Sequence, residues 1–326
     1  MNVMAPAIDD VRHLQQRLQE RLVRTPVVRC RSLEDRLAGA VEIHAKLEFL
    51  QQTGTFKPRG ALSVMLQLDD VQLKAGVTAV SAGNHAIATA FAARAVGTSA
   101  KVVMTKTASP VRMQACRSYG AEVVLADDVH TAFDMADALR EQEQRYFVHP
   151  FEGQDVVTGT ATVGLEICEQ IGDFDVAIIP IGGGGLCAGI SSAIKQLNPD
   201  CEVIGVEPEG ADSMHRSFAS GKPESIEKVL TIADSLGAPF AMPYSFQVCR
   251  QNVDELVMID DDQIRDAMRM LFTDMKIAVE PACAATTAAL FGPLRGRYAG
   301  KRVVLVLCGS NIDWETYATH ARLSKC

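Results

Sequence analysis

From Leu14 to Val23 the apolar residues recur at the spacing of one helical face. The period then changes, because Val41-Glu42-Ile43-His44-Ala45-Lys46-Leu47 alternates apolar and polar side chains as a strand does. Between Val77 and Val148 short apolar runs, Lys101–Met104, Ala121–Leu125 and Tyr146–Val148, are separated by helical stretches, which predicts a small βα lobe inserted into the chain. After His149-Pro150 the pattern restarts with a longer helix around Val156 to Glu169. Continuous apolar runs follow at Val176–Ile181, Glu202–Val206 and Arg302–Leu307, and these read as parallel strands buried on both faces. The expected architecture is α/β with two open-sheet lobes, the larger from residues 1–73 and 149–326 and the smaller from 74–148.

A chain of 326 residues is long enough for both lobes to bury a substantial core. Asp and Glu number 40 against 32 Lys and Arg, a formal charge of −8 with no basic run, so nucleic acid is not an expected partner. The first twenty residues include Asp9, Asp10, Arg12 and Arg17, without the apolar stretch of a signal peptide. No later run reaches membrane-spanning length, so a cytoplasmic location and no membrane partner are expected. Nine cysteines lie in apolar contexts without CxxC or Cys/His spacing, which fits small core residues better than zinc or disulfides.

Three loops carry chemistry. Lys57 stands in Thr53-Gly54-Thr55-Phe56-Lys57-Pro58-Arg59-Gly60-Ala61, where a following proline and small neighbours hold a lysine in fixed geometry as a nucleophile. Gly182, Gly183, Gly184 and Gly185 follow the strand-like Asp175–Ile181 and precede the helical Leu186–Ile190, an arrangement in which bare backbone N–H groups converge on an anion. Ser81-Ala82-Gly83-Asn84-His85 again joins a short apolar strand to an alanine-rich helix, and its N–H groups can meet a carboxylate. Pyridoxal phosphate is the cofactor that needs both a lysine Schiff base and a phosphate cradle. The glycine run, Glu207 and Cys308 all fall at the carboxyl ends of predicted strands, where ligands of open α/β sheets gather.

With these residues in that order, the chain resembles the fold-type II pyridoxal phosphate enzymes, in the threonine/serine dehydratase and serine racemase branch, over about Val23 to Asp313. That resemblance implies the tryptophan synthase β-like architecture with the cofactor in the cleft between lobes, a homodimer, and a small-molecule amino acid as substrate. It implies that Lys57 is the catalytic lysine, that Phe56 packs near the ring, and that Asn84 bonds the cofactor 3′-oxygen. The glycines hold the phosphate, while Ser81, Ala82, Gly83, Asn84 and His85 form the substrate loop. Cys308, or Ser310 if the loop is shifted, lies under the pyridine nitrogen, and a neutral group there suits β-elimination rather than transamination. The expected reaction is dehydration and deamination of a β-hydroxy amino acid of the L-threonine/L-serine class to a 2-oxo acid and ammonia. The alternatives are hydroxyaspartate or phenylserine as substrate, an amino acid racemase, or a β-replacement synthase.

Several positions depart from the relatives. Serine racemases carry a second serine where this chain has Ala82, so the dehydratase is favoured over the racemase. Members that bind a divalent cation present a glutamate, a carbonyl and an aspartate. Here Glu207 and Ala211 match while Ser213 does not, leaving open a divalent or monovalent cation or a Glu207 that caps the next helix. Ser235 replaces an expected glycine after Ala233-Asp234, and the Thr158–Thr162 stretch lacks the usual glutamine. Phe240 and Met242 suggest a β-substituent larger or more apolar than the methyl of threonine. The chain stops at Cys326 without the regulatory domain appended to biosynthetic relatives, which makes a catabolic role the expectation.

Overall fold

A computed structural model of the chain describes residues 4–322. Its ten strands are β1 (Val27–Arg29), β2 (Glu42–Leu47), β3 (Val77–Val80), β4 (Ala100–Thr105), β5 (Glu122–Ala126), β6 (Tyr146–Phe147), β7 (Val176–Pro180), β8 (Glu202–Pro208), β9 (Glu255–Ile259) and β10 (Arg302–Leu307). They form a six-stranded sheet in the order β1-β2-β10-β7-β8-β9 and a four-stranded sheet in the order β5-β4-β3-β6. Only the β1–β2 pairing is antiparallel. Parallel pairing brings the carboxyl ends of β2, β7, β8 and β10 to one edge: Leu307 lies beside Leu47, and Pro180 beside Val206. The loops that follow these strands therefore share one rim of the sheet.

All of β7, and β10 from Val303 onward, are buried, as expected of strands covered on both faces. On one face the helices Pro58–Met65, Gln154–Ile171 and Gly185–Leu197 stack through glycines. A Cβ on Gly159 would stand 2.3 Å from the Arg59 carbonyl oxygen, and one on Gly189 would stand 2.2 Å from Thr160 Oγ1. No side chain fits at either contact, so the backbones themselves meet and the helix that begins beside Lys57 is held in place.

Some boundaries differ from the sequence reading. The first helix spans Ile8–Leu18 rather than Leu14–Val23; Val11, Leu14 and Leu18 form its buried face. Leu22, apolar and in phase, is buried by a turn whose N–H groups return to Leu18 O, which is why it mimics continued helix. The edge strands β1 and β9 were not anticipated. β5 starts one residue later than expected and takes in Ala126. The apolar core beside the smaller sheet also recruits Leu14, Leu18, Leu62, Met65 and Val156 from outside residues 74–148.

Candidate active site

The lysine loop is shaped by an unusual turn. Thr53 (φ 70°) and Gly54 (φ 75°) are both left-handed, and for a β-branched threonine that conformation costs on the order of 1–3 kcal/mol unless neighbours fix it. Asn311 does so, donating from Nδ2 to Thr53 O at 2.8 Å. Beyond the turn, Phe56 N donates to Cys308 O at 3.1 Å and Ser310 N to Gly54 O at 3.0 Å, so the Lys57 and Cys308 loops are paired along one edge. Pro58 then opens the helix, where a missing N–H costs nothing.

Lys57 Nζ donates to Pro150 O at 2.7 Å and lies 5.1 Å from the centre of the Phe56 ring. Burial pushes its pKa down to about 8, while Cys308 and Glu280 pull it upward. Two histidines share its surroundings. His85 lies 2.8 Å through Nε2 from Val148 O, and its pKa is lowered to about 3 by burial and then by Lys57. His149 Nδ1 accepts from Phe151 N and Glu152 N at 3.2 and 2.9 Å; burial and Lys57 lower its pKa to about 4. Both rings are neutral at pH 7, so neither adds a positive charge beside Lys57.

In the glycine run the helical ladder begins only at Ala188 N, which donates to Gly184 O at 2.8 Å. Among the described residues the N–H groups of Gly182 to Gly185 find no backbone acceptor, and they stand at the N-terminus of the helix Gly185–Leu197. Side chains are excluded at Gly183 and Gly185. A Cβ on Gly183 would lie 2.3 Å from the Phe151 ring, and one on Gly185 would lie 2.4 Å from Phe151 O.

Asn84 opens the helix Asn84–Val96. Its Nδ2 donates to both oxygens of Glu280, at 2.9 and 3.0 Å, and reaches Ser235 Oγ at 3.1 Å, while its Oδ1 accepts from Asn311 Nδ2 at 2.9 Å. Ser81 Oγ accepts from Gly83 N, and exposed Ala82 lines a cleft of about 650 Å³ together with Glu280 and Ser310. Cys308 is buried, and its thiol pKa is held well above the ordinary value by the neighbouring Cys283 thiol and by burial. The thiol is therefore neutral at pH 7.

Glu207 and Ala211 lie on the same rim. Both Glu207 oxygens are engaged by the start of the helix Ser213–Ser220: Met214 N donates at 2.9 Å, and His215 N and Nδ1 each lie at 2.8 Å. Among the described residues no group of three or more His, Cys, Asp and Glu is arranged to hold a metal ion. Sequence reasoning missed Glu280 and Arg112, and gave no role to Asp234 or Asn311. The one available signal was Glu280 itself, a lone charge in the apolar run Ala278-Val279-Glu280-Pro281-Ala282.

A buried amine free to become neutral, a glycine cradle of unpaired N–H groups and a neutral thiol on the adjoining loop together fit pyridoxal phosphate, and they define an enzyme of that class. The sequence-family profile described as "Pyridoxal-phosphate dependent enzyme" matches residues 18–309. A phenylserine dehydratase of Ralstonia pickettii is 54% identical over 98% of this chain and 97% of its own. The catabolic L-threonine dehydratase TdcB of Escherichia coli K12 is 38% identical over 94% and 93%. The solved structure of maize serine racemase superposes with a TM-score of 0.91 at 33% identity, covering 97% of each chain. The chain belongs to the pyridoxal-phosphate dependent enzymes, in the branch that holds threonine dehydratases, serine racemases and phenylserine dehydratases. It is a pyridoxal phosphate-dependent dehydratase, an ammonia-lyase of β-hydroxy amino acids.

Proposed function

We propose that the enzyme acts on a β-hydroxy amino acid with an aryl group on its β-carbon, of the 3-phenylserine class, and converts it to the aryl 2-oxo acid and ammonia. The observation that carries this is the placement of Phe151. Its ring covers Gly183, and it directly follows Pro150, whose carbonyl oxygen accepts from Lys57 Nζ at 2.7 Å. The ring stands edge-on to His149 with centroids 4.7 Å apart, and tilted to Phe240 at 6.1 Å, so aromatic rings gather at the glycine loop, with His149 among the residues around Lys57. Ser245 Oγ donates to Phe151 O at 3.1 Å, and Glu152 accepts from Tyr244 N and Ser245 N, which fixes this wall. The identity to the Ralstonia phenylserine dehydratase points the same way. L-Threonine and L-serine remain the second reading, supported by the identity to the Escherichia coli enzyme.

Pyridoxal phosphate, when bound, supplies an electron sink for the pair released from Cα. Lys57 would hold its aldehyde and, as a free amine, would take the Cα proton at Nζ; a pKa near 8 suits that task at neutral pH. The N–H groups of Gly182, Gly183, Gly184 and Gly185 would hold the phosphate and Asn84 the 3′-oxygen, Phe56 would pack beside the ring, and Cys308, or Ser310 next to it, would offer a neutral partner to the ring nitrogen. Ser81, Ala82, Gly83 and His85 complete the substrate loop. Glu207 serves as the cap of the helix Ser213–Ser220. The water expelled in the elimination is returned on hydrolysis, so the net loss is ammonia and no redox partner is needed.

The same reading includes a homodimer in the cytoplasm and two lobes, residues 1–73 with 149–326 and 74–148, that close over the substrate. No helix among the described residues is long and apolar enough to cross a membrane. The test is release of 2-oxo acid and ammonia from cofactor-loaded protein offered L- and D-serine, L- and D-threonine, both 3-hydroxyaspartate diastereomers and 3-phenylserine. Highest kcat/KM with 3-phenylserine, abolished in Lys57→Ala, is expected. A preference for threonine or serine replaces the aryl reading with the second one.

A further inference from the structure

The cleft over the site has a lopsided charge. Asp234, Glu280 and Asp313 line it, and among the described residues Arg112 is the only lysine or arginine that does. An amino acid brings a carboxylate into this space, where like charges repel it and water is partly excluded. Lys57 lies deeper and is committed to the cofactor aldehyde. One cation remains to receive the anion.

Arg112 belongs to the helix Pro110–Ser118, packed with the smaller sheet, and reaches across the cleft to the larger one. Nη1 donates to Asp234 Oδ2 at 2.7 Å, and Nη2 donates to Asn311 O at 3.0 Å. A guanidinium carries more N–H donors than these two contacts use. It also lies on the substrate loop: a Cβ on Gly83 would be 3.1 Å from Nη1. The Arg112 side chain is 16% exposed whereas that of Asp234 is 56% exposed, so the cation is held in place while its counter-ion sits in water. With Asp234 already largely in water, a second carboxylate can take its place on the guanidinium.

We infer that Arg112 is a substrate-binding residue, whose guanidinium takes the α-carboxylate of the amino acid alongside the Ser81–His85 loop and in doing so gives up Asp234. The planar fork matches a carboxylate in two parallel hydrogen bonds, which a lysine does not reproduce.

The test compares L-alanine with L-alaninamide on the cofactor-loaded enzyme by titration calorimetry; neither has a hydroxyl to eliminate, and only one has the carboxylate. Wild type is expected to prefer the acid. In Arg112→Gln that preference falls about tenfold or more, with partial recovery in Arg112→Lys, and KM for the β-hydroxy substrate rises more than kcat falls. A residue that merely ties the lobes together weakens acid and amide by the same factor. Should Arg112→Gln lose its thermal transition, Arg112→Lys and Asp234→Asn carry the test, the latter tightening the acid more than the amide. No preference in wild type, or one that all three substitutions leave unchanged, overturns the assignment.

Discussion

Asn84 Nδ2 lies 2.9 and 3.0 Å from the two carboxylate oxygens of Glu280, a residue 1% exposed, so the amide proposed to bond the cofactor is oriented by a buried acid. Burial raises the Glu280 pKa, opposed first by the Asn84 hydrogen bond. Glu280→Gln offers Asn84 one acceptor in place of two and turns an NH₂ group toward a donor. Loss of a charge-assisted bond of about 1.5–3 kcal/mol corresponds to a roughly tenfold or greater loss of pyridoxal phosphate affinity. Titrating apo-protein by visible absorbance measures this, and unchanged affinity together with unchanged turnover would remove Glu280 from the site.

Lys57 predicts a pH dependence for cofactor loading. Its pKa is lowered from 10.5 to about 8, chiefly by burial. At pH 7 about one amine in ten is then neutral, against roughly one in three thousand for an unshifted lysine. Covalent capture of the aldehyde by apo-protein is expected to accelerate about tenfold between pH 6 and 7 and to level off above about pH 8. The unfolded chain binds the extra proton between about pH 8 and 10.5, so this group makes apo-protein stability rise with pH across that window. A capture rate still climbing steeply at pH 9 would show an unshifted lysine.

The parts of the site legible in the sequence are those whose chemistry is local. Lys57-Pro58 and the glycines of 182–185 advertise their backbone geometry wherever the chain goes, and strand ends could be placed from runs such as Arg302–Leu307. Glu280, Arg112 and Asn311 carry no such mark, because each meets its partners only when the fold brings distant segments of the chain together. The first helix was misplaced for a related reason: Leu22 is buried through a turn, and periodicity alone does not separate that from helix.

Beneath the lysine helix, Arg59 and Lys46 are buried with Glu48 and Glu166 in a balanced cluster. Arg59 Nε lies 2.8 Å from Glu48, Arg59 Nη1 2.8 Å from Glu166, and Lys46 Nζ 2.5 Å from Glu166. Removing one cation leaves buried carboxylates with a single partner. Arg59→Ala is expected to cost about 3–5 kcal/mol in urea unfolding of the apo-protein. Arg59→Lys recovers only part, since it loses the fork that spans both acids. A loss below about 1 kcal/mol would mean that water enters the cluster.

Ala82 lines the cleft but has no proton to exchange. Ala82→Ser restores the hydroxyl that serine racemases carry at this position, and slow racemisation of L-serine is the expected gain, followed by chiral chromatography. No D-serine above the background of the parent enzyme would count against the placement of this loop opposite Lys57.

Phe151 is the sharpest discriminator between an aryl and a methyl substituent. Its ring fills the space left by Gly183 and meets Phe240 at 6.1 Å, so truncation removes an aromatic partner without touching Lys57. Aromatic pairs contribute about 0.5–1.5 kcal/mol beyond burial, and the lost apolar contact adds a similar amount. Phe151→Leu, which keeps apolar volume but not the ring, is therefore expected to lower the kcat/KM ratio of 3-phenylserine to L-threonine by about tenfold, mainly through KM. Phe240→Leu moves the ratio the same way by less, since its ring meets Phe151 at 6.1 Å and does not cover Gly183. A uniform fall for both substrates would make Phe151 a packing residue of the glycine loop, and an unchanged ratio would place the aryl group on another wall of the cleft.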